Sequence, residues 1–549
     1  MIKKIFFIGI ILSTLAGCKK DFLDTKPENA ISSANIWSND INATMGIAGM
    51  YSNFSGQNND GAYMRSTFDY SYWGPDGYNY NDKGSLSDAG TTSSNGDMHR
   101  AYVHNYQIIG RANDAIFHLT NNPNVTPALR DRFIGEAEFI RGFCYFNLWA
   151  LFGGVILLDH PINPADSYLA RNTSDETVQF IIKDFTDAIS RLPVTYSAAA
   201  DRGRATKGAA QAMLGKTYLY NQEWAQAAVE LEKLQNPPYT YALVSNFADL
   251  FNFATERNSE VIFDVEAISY PGLGSYNDFE YGGRSLNSSG WSECSVSWST
   301  ILSYTNQDGS AIDISDMPRS SNYASEYLYG LDLIPWYQNK YKNADKRLAA
   351  TAIMPGSLVV GNNNVTYMVN WPFGDHANDA PYPAYQLDDN SKASIPWRKY
   401  IDVGNTNPVF RESPTNIVLI RYADVLLMWA EAKNEATEPS QDIFDAVNMI
   451  RDRGGVPHIS GLSQADLRLA IRMERFRELA GEGQLFFDVR RWKTAAGTDP
   501  IFGENKEIDD FRGERLWTKV FEDRYYLWGI PNHDILLDPN LVQNPGWAQ

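Results

Sequence analysis

The residues with the clearest chemical potential are aromatic. Between Phe68 and Tyr80 the chain reads FDYSYWGPDGYNY, where six of thirteen residues are aromatic and Gly74, Pro75, Asp76, Gly77 and Asn79 between them favour turns. Tyr and Trp on a rigid loop combine a flat apolar face with a polar edge. A sugar ring needs this combination, because its C–H face stacks on the aromatic while its hydroxyls bond to nearby Asp, Asn or Arg. The candidate ligand set is therefore Arg65, Asp69, Tyr70, Tyr72, Trp73, Asp76, Tyr78, Tyr80 and Asn81, with Asn79 as a further polar partner. Trp291, in the loop-like context SSGWSE, is the expected second platform, and Trp298, Trp371 and Trp397 accompany it in the same stretch. The competing expectation is that the rings pack this loop onto the rest of the fold.

Catalytic patterns are missing from the sequence. It has no GxSxG, no GxxxxGK[ST], no GxGxxG after a strand and no HExxH. His99 and His104 lie five apart, a spacing that does not align two imidazoles on a helix for a shared metal. Asn306, Asp308 and Gly309 form a fragment of a calcium loop without its regular acidic spacing. Glu474 and Glu478, interleaved with Arg472, Arg475 and Arg477, read as a salt-bridged helix surface, and Asp424 and Glu431 as partners for Arg421 or Lys433. No catalytic residue, metal ligand or cofactor is assigned. A surface polysaccharide-degrading enzyme would need two carboxylates facing one cleft.

Composition narrows the class further. With 47 basic and 66 acidic side chains the formal charge of the 549 residues is −19, and no basic cluster offers a surface for nucleic acid. The three cysteines, at 18, 144 and 294, are too few for a disulfide framework and have no metal spacing. Cys144 reads as a small buried hydrophobe. The first residues, MIKKIFFIGIILSTLAGC, have the two lysines, short apolar stretch and small residues of a signal peptide. Leu15-Ala16-Gly17-Cys18 resembles a lipoprotein cleavage box, so Cys18 is the expected lipidation site. Residues 1–17 form the signal and 18–33 a polar tether, and the only membrane contact is through the lipid.

The elements that must position the aromatic residues are mostly helical. Helices are expected from about Ala34 to Phe54 and Asp97 to Leu119, and from Pro127, after Thr126, to about Phe152. Thr173 with Glu176 makes a capping box ahead of a helix to Leu192, and Ser463 caps one that ends near Gly481. Leu214-Gly215-x-x-Tyr218, then Ala227 and Leu231, follows tetratricopeptide spacing, in which Gly215 and Ala227 let two helices approach closely. The pair 417–435 with 441–452 reads as a degenerate version. From about 255 to 415 the chain turns rich in Gly, Pro, Asn and Ser, with short strand-like runs such as Val261 to Val265. The expected fold is mainly α, a tetratricopeptide-like helix-pair scaffold over 34–549 that carries a loop-rich inserted subdomain with short strands.

Several longer segments resemble a known family. Ile420 to Ala432 (IRYADVLLMWAEA), Ile471 to Trp492 (IRMERFRELAGEGQLFFDVRRW), Leu527 to Pro531 and Asn540 to Trp547 are similar to SusD/RagB outer-membrane lipoproteins, as are Glu136 to Gly154 and Arg204 to Ala210. Gly481, where the family usually has an aromatic, and Leu485, where Arg is common, depart from the pattern. The resemblance implies a cell-surface lipoprotein of the outer membrane, facing outward. Such a protein binds glycan or oligosaccharide and delivers it to a SusC-like TonB-dependent barrel transporter, without catalysis. It transfers no ligand residue, so the aromatic candidates rest on their own chemistry. A tetratricopeptide-type scaffold for protein or peptide ligands is the alternative function.

Overall fold

The computed structural model describes residues 35–55, 63, 66–79, 90–285, 290–361, 364–370, 382–383, 394–401 and 412–548. Cys18, Arg65, Tyr80, Asn81 and Trp371 lie outside these described residues. The first half is a run of helices: α1 Asp40–Ser55, α2 Ser66–Trp73, α3 Gly96–Leu119, α4 Pro127–Phe152, α5 Ser174–Arg191, α6 Lys207–Tyr220 and α7 Trp224–Glu232. From α3 to α7 each helix packs on the next. Both halves of the Thr173–Glu176 capping box are formed, and Pro193 follows the Leu192 C-cap. Thr126 instead bonds back to the start of α1, its backbone N–H and hydroxyl both donating to the Asp40 carboxylate at 2.7 and 2.6 Å. A Cβ on Gly215 would lie 2.6 Å from the Leu231 side chain, so the close approach of α6 and α7 needs glycine there. Cys144 is buried, and burial pushes its thiol up to about 12.

The described residues also form four two-stranded antiparallel sheets, and the second half adds mostly shorter helices. The helices are α8 Asn277–Glu280, α9 Trp298–Ser303, α10 Glu326–Lys340, α11 Lys346–Thr351, α12 Tyr422–Ala436, α13 Gln441–Gly454, α14 Gln464–Leu479, α15 Gln484–Arg491 and α16 Asn532–Leu537. The strands are β1 Gly77–Asn79, β2 Val261–Val265, β3 Cys294–Val296, β4 Leu358–Val360, β5 Thr366–Met368, β6 Ile417–Arg421, β7 Lys506–Asp509 and β8 Arg515–Lys519, paired β1–β3, β2–β6, β4–β5 and β7–β8. Pairing Val261 with Arg421 and Val265 with Ile417 brings both ends of the loop-rich stretch to one place. Helix α7 packs on α12, which packs on α13 and α14, so the helices on either side of that stretch form one core. Among the described residues no helix is long and apolar enough to cross a membrane.

Three expectations are corrected here. Residues 417–421 are not the start of a helix: the run Ile-Val-Leu-Ile, three of its four residues β-branched, forms strand β6 with Arg421, and the helix begins at Tyr422. The described part of the aromatic run, 68–79, is not an open loop, since Ser66–Trp73 is a helix and Gly77–Asn79 a strand, with the turn confined to 74–76. Glu474 and Glu478 are not on a surface, because both are completely buried.

Candidate functional site

The segment 66–79 threads through the middle of the molecule. Trp73 is 2% exposed and sits 5.9 Å from the Tyr70 ring, 5.3 Å from Tyr72 and 5.5 Å from Trp528, all edge to face. Tyr70 stacks on Phe486 of α15 at 5.1 Å, and Tyr78 meets Trp517 of β8 edge to face at 5.4 Å. The Lys519 ammonium donates to the carbonyls of Tyr72, Trp73 and Gly74 at 3.2, 2.8 and 2.5 Å. Burial lowers that ammonium to about 8, with the Glu504 carboxylate opposing the shift. Asp69 pairs with Arg100 at 2.8 Å. Asp76 accepts from the Gly481 N–H at 2.8 Å, while its own carbonyl accepts from the Ser297 N–H and the Thr300 hydroxyl. Burial raises the Asp76 carboxyl to about 7, against the pull of that backbone hydrogen bond.

Asp69, Tyr70, Tyr72, Trp73, Asp76 and Tyr78 are thus brought together, but as an internal junction between α2, β1, α9, α15 and β8. The expectation that these rings present open faces is corrected: each is buried, and neighbours from the C-terminal part of the chain cover it. Trp397 is buried as well, with its ring filling the place a side chain on Gly481 would take, 2.7 Å from a built Cβ. This accounts for glycine at a position where the related pattern has an aromatic. Trp298 is half-buried and donates its indole N–H to the Asp510 carbonyl at 2.9 Å.

Trp291 is different. It is 39% exposed, with its ring 4.8 Å from Phe279 at 42°. Its backbone N–H donates to the Phe279 carbonyl at 2.9 Å, the next residue, Ser292, bonds Gly282 at 3.0 Å, and Ser292 adopts a left-handed φ of 51°. The backbone at Trp291 is thus tied down, and the ring packs against Phe279 while part of it meets solvent. Strand β1 ends at Asn79 opposite Cys294, three residues after Trp291.

One concave feature escaped the sequence reading. A cavity of about 570 Å³ opens between α10 and α11, lined among others by Gln307, Tyr337, Gln338, Tyr341, Lys346 and Arg398. Tyr337 and Tyr341 stack at 5.7 Å and 18°. Tyr337 is buried and donates its hydroxyl to the Phe511 carbonyl at 2.5 Å, which leaves the half-buried Tyr341 as the accessible ring. The signal was the four-residue spacing of these tyrosines along a helix.

The acidic residues considered for catalysis are held in ion-pair networks. Arg347 bonds Glu474 and Glu478 at 2.7 and 2.9 Å, and Arg421 bonds Glu478, Glu260 and Glu482 at 2.6, 2.9 and 2.7 Å. Lys399 adds a 2.7 Å contact to Glu482. Burial alone would raise the Glu478 carboxyl, but the guanidiniums of Arg453, Arg421 and Arg347 more than offset it and hold the group well below the usual range. Asp424 pairs with Arg475 at 2.8 Å, and Glu431 with Arg491 at 2.6 Å, rather than with Arg421 or Lys433. Asp308 folds onto Ser310 in a local turn. These contacts bind α12, α13 and α14 together, and they occupy the carboxylates that general acid–base work would require free.

Comparison with known proteins agrees with this architecture. The family model described as the SusD family matches residues 259–547, and a second, described as starch-binding and associating with the outer membrane, matches 21–219. A SusD-like protein of Formosa agariphila is 25% identical over 99% of both chains. A SusD-like protein of Bacteroides fragilis superposes with a TM-score of 0.78 at 23% identity, over 95% of this chain and all of that one. A second protein of that organism, a SusD-like carbohydrate-binding protein, gives 0.76 at 22% identity over 92% and 100%. The structural matches repeat the helical fold with its short sheets, and the model match covers the larger part of the sequence: the chain belongs to the SusD family.

Proposed function

We propose that this protein is an outer-membrane lipoprotein that binds glycan at the cell surface and passes it to a TonB-dependent barrel transporter, without chemical turnover. The observation that carries the reading is the family match over 259–547. It is supported by the second model's association with starch and the outer membrane, and by the fold shared with a carbohydrate-binding protein. In this reading residues 1–17 are the signal, Cys18 carries the lipid, 18–33 are the tether, and 34–549 form the binding body with its insertion at about 255–415.

Within that body Trp291 is the stacking platform. Its tied backbone and the packing of its ring on Phe279 lower the cost of ordering it on binding, and the partly exposed face supplies apolar area to a sugar ring. Arg65, Tyr80 and Asn81 stay in the proposed ligand set, whereas the buried Tyr70, Tyr72, Trp73 and Tyr78 have a packing role. The test is mobility of the detergent-solubilised protein in native gels cast with plant, host and microbial polysaccharides. Retardation by at least one polysaccharide, weakened in Trp291→Ala, is the expected result. No retardation across the panel would overturn the glycan reading. Retardation equal in the variant would overturn the platform alone.

A further inference from the structure

Three potential metal donors from distant parts of the chain meet at the surface. His99 stands in the first turn of α3, and His533 with Asp534 opens α16. Their donor atoms all lie within 4.8 Å of one another. Asp534 turns Oδ2 to His99 Nδ1 at 3.3 Å and Oδ1 to His533 Nδ1 at 3.9 Å, and the two imidazoles are 5.1 Å apart at 63°. His99 therefore has partners that its spacing from His104 could not reveal.

The backbone beneath these side chains is pinned. The Asn532 N–H donates to the Ser93 carbonyl at 2.9 Å, two residues before Asn95, whose side chain caps α3 through Asp97 and Met98. The nearby cation Arg100 is compensated by Asp97 and Asp69 at 2.6 and 2.8 Å. The His533 and His99 side chains are 65% and 41% exposed, so both rings keep room to turn. Bonds of about 2.0–2.2 Å in a tetrahedral shell put neighbouring donors about 3.3–3.5 Å apart. The His99–Asp534 pair already has this separation, whereas the set of three donors spreads over as much as 4.8 Å, so the exposed His533 ring must turn inward to close the shell.

We propose that His99, His533 and Asp534 form a site for a divalent transition ion, with water completing the shell. Two imidazoles and one carboxylate suit zinc, nickel or copper, whereas calcium and magnesium prefer all-oxygen shells. A bound ion would clip the start of α3 to the C-terminal segment. It would also stand at the edge of a cavity of about 560 Å³ that Asp534 lines together with Tyr102, Tyr106 and Tyr168.

The test is calorimetric titration of the detergent-solubilised full-length protein with zinc in a non-chelating buffer, paired with cobalt absorption spectra. The expected result is one zinc per chain and a tetrahedral cobalt band. Affinity should fall about tenfold or more in His99→Ala and in His533→Ala. His458→Ala, which removes another exposed histidine paired with an aspartate, should bind as the parent does. Because the His533 side chain is largely in solvent, its variant keeps the fold, and an unchanged melting temperature without metal verifies this. The proposal is overturned if the parent takes up no zinc at millimolar concentration, or if His533→Ala binds zinc with unchanged affinity.

Discussion

Replacing Trp73 by alanine separates a packing role from a ligand role for the aromatic run. The indole is 2% exposed and lies against Tyr70, Tyr72, Phe486 and Trp528 at centroid distances of 5.3 to 6.4 Å. Its removal leaves a cavity walled by rings that are themselves held by Lys519 and α15, so the site cannot collapse cheaply. Truncation of a buried Trp costs about 3–5 kcal/mol. Unfolding entropy of about 2.1 cal/mol/K per residue over the roughly 460 described residues gives about 1.0 kcal/mol/K, so the melting temperature should fall by about 3–5 °C. Calorimetric melts and glycan affinity are to be measured on the same preparation. The account expects the lower melting temperature with affinity within about twofold of the parent, a difference of about 0.4 kcal/mol. A melting temperature within about 1 °C of the parent, combined with a tenfold loss of affinity, would refute the reasoning and restore Trp73 as a platform.

Other consequences follow from the buried charges and the N-terminus. Arg421→Met strips Glu478, Glu482 and Glu260 of a shared cation in a dry site, and should cost about 3–5 kcal/mol in urea unfolding; a loss below about 1 kcal/mol would contradict the network's role. For Asp76 the native carboxyl titrates near 7 and the unfolded one near 4, so the folded state binds the extra proton between those values. Its contribution to stability is therefore lost as pH rises from about 4 to about 7. Asp76→Asn should narrow the stability difference between pH 5 and pH 8, and an unchanged difference would show that other groups carry it. Cys18→Ala should abolish metabolic labelling with a fatty acid, and continued labelling would place the anchor elsewhere.

Local signals carried over well where the interaction is local. The Thr173–Glu176 box and the Gly215 contact with Leu231 are each set within about twenty residues, and both were legible from spacing. The burial of the 66–79 segment is not legible in the sequence because its cover is remote: Lys519 stands 446 residues from Trp73, and no periodicity in a short aromatic run records such a partner. The same holds for Glu474 and Glu478. Their spacing fixes one helix face, but whether that face meets water or Arg347 and Arg421 depends on chain segments far away in sequence. Strand β6 reads as part of the following helix because an apolar run of four residues, Ile417 to Ile420, suits either period. Trp291, in its Ser-Gly surroundings, is 39% exposed.

The most direct test of glycan binding without turnover is calorimetric titration of the parent and Trp291→Ala with oligosaccharides from the polysaccharide that retards the protein, with reducing ends assayed on the same samples. Burying an exposed ring face at about 25 cal/mol per Å² makes a platform worth about 1–3 kcal/mol. The account predicts saturable binding by the parent, affinity weakened by about tenfold to a hundredfold in the variant, an unaltered melting temperature and no release of reducing ends. Steady release of reducing ends that follows the protein through successive columns, or no saturable binding by the parent, would contradict it.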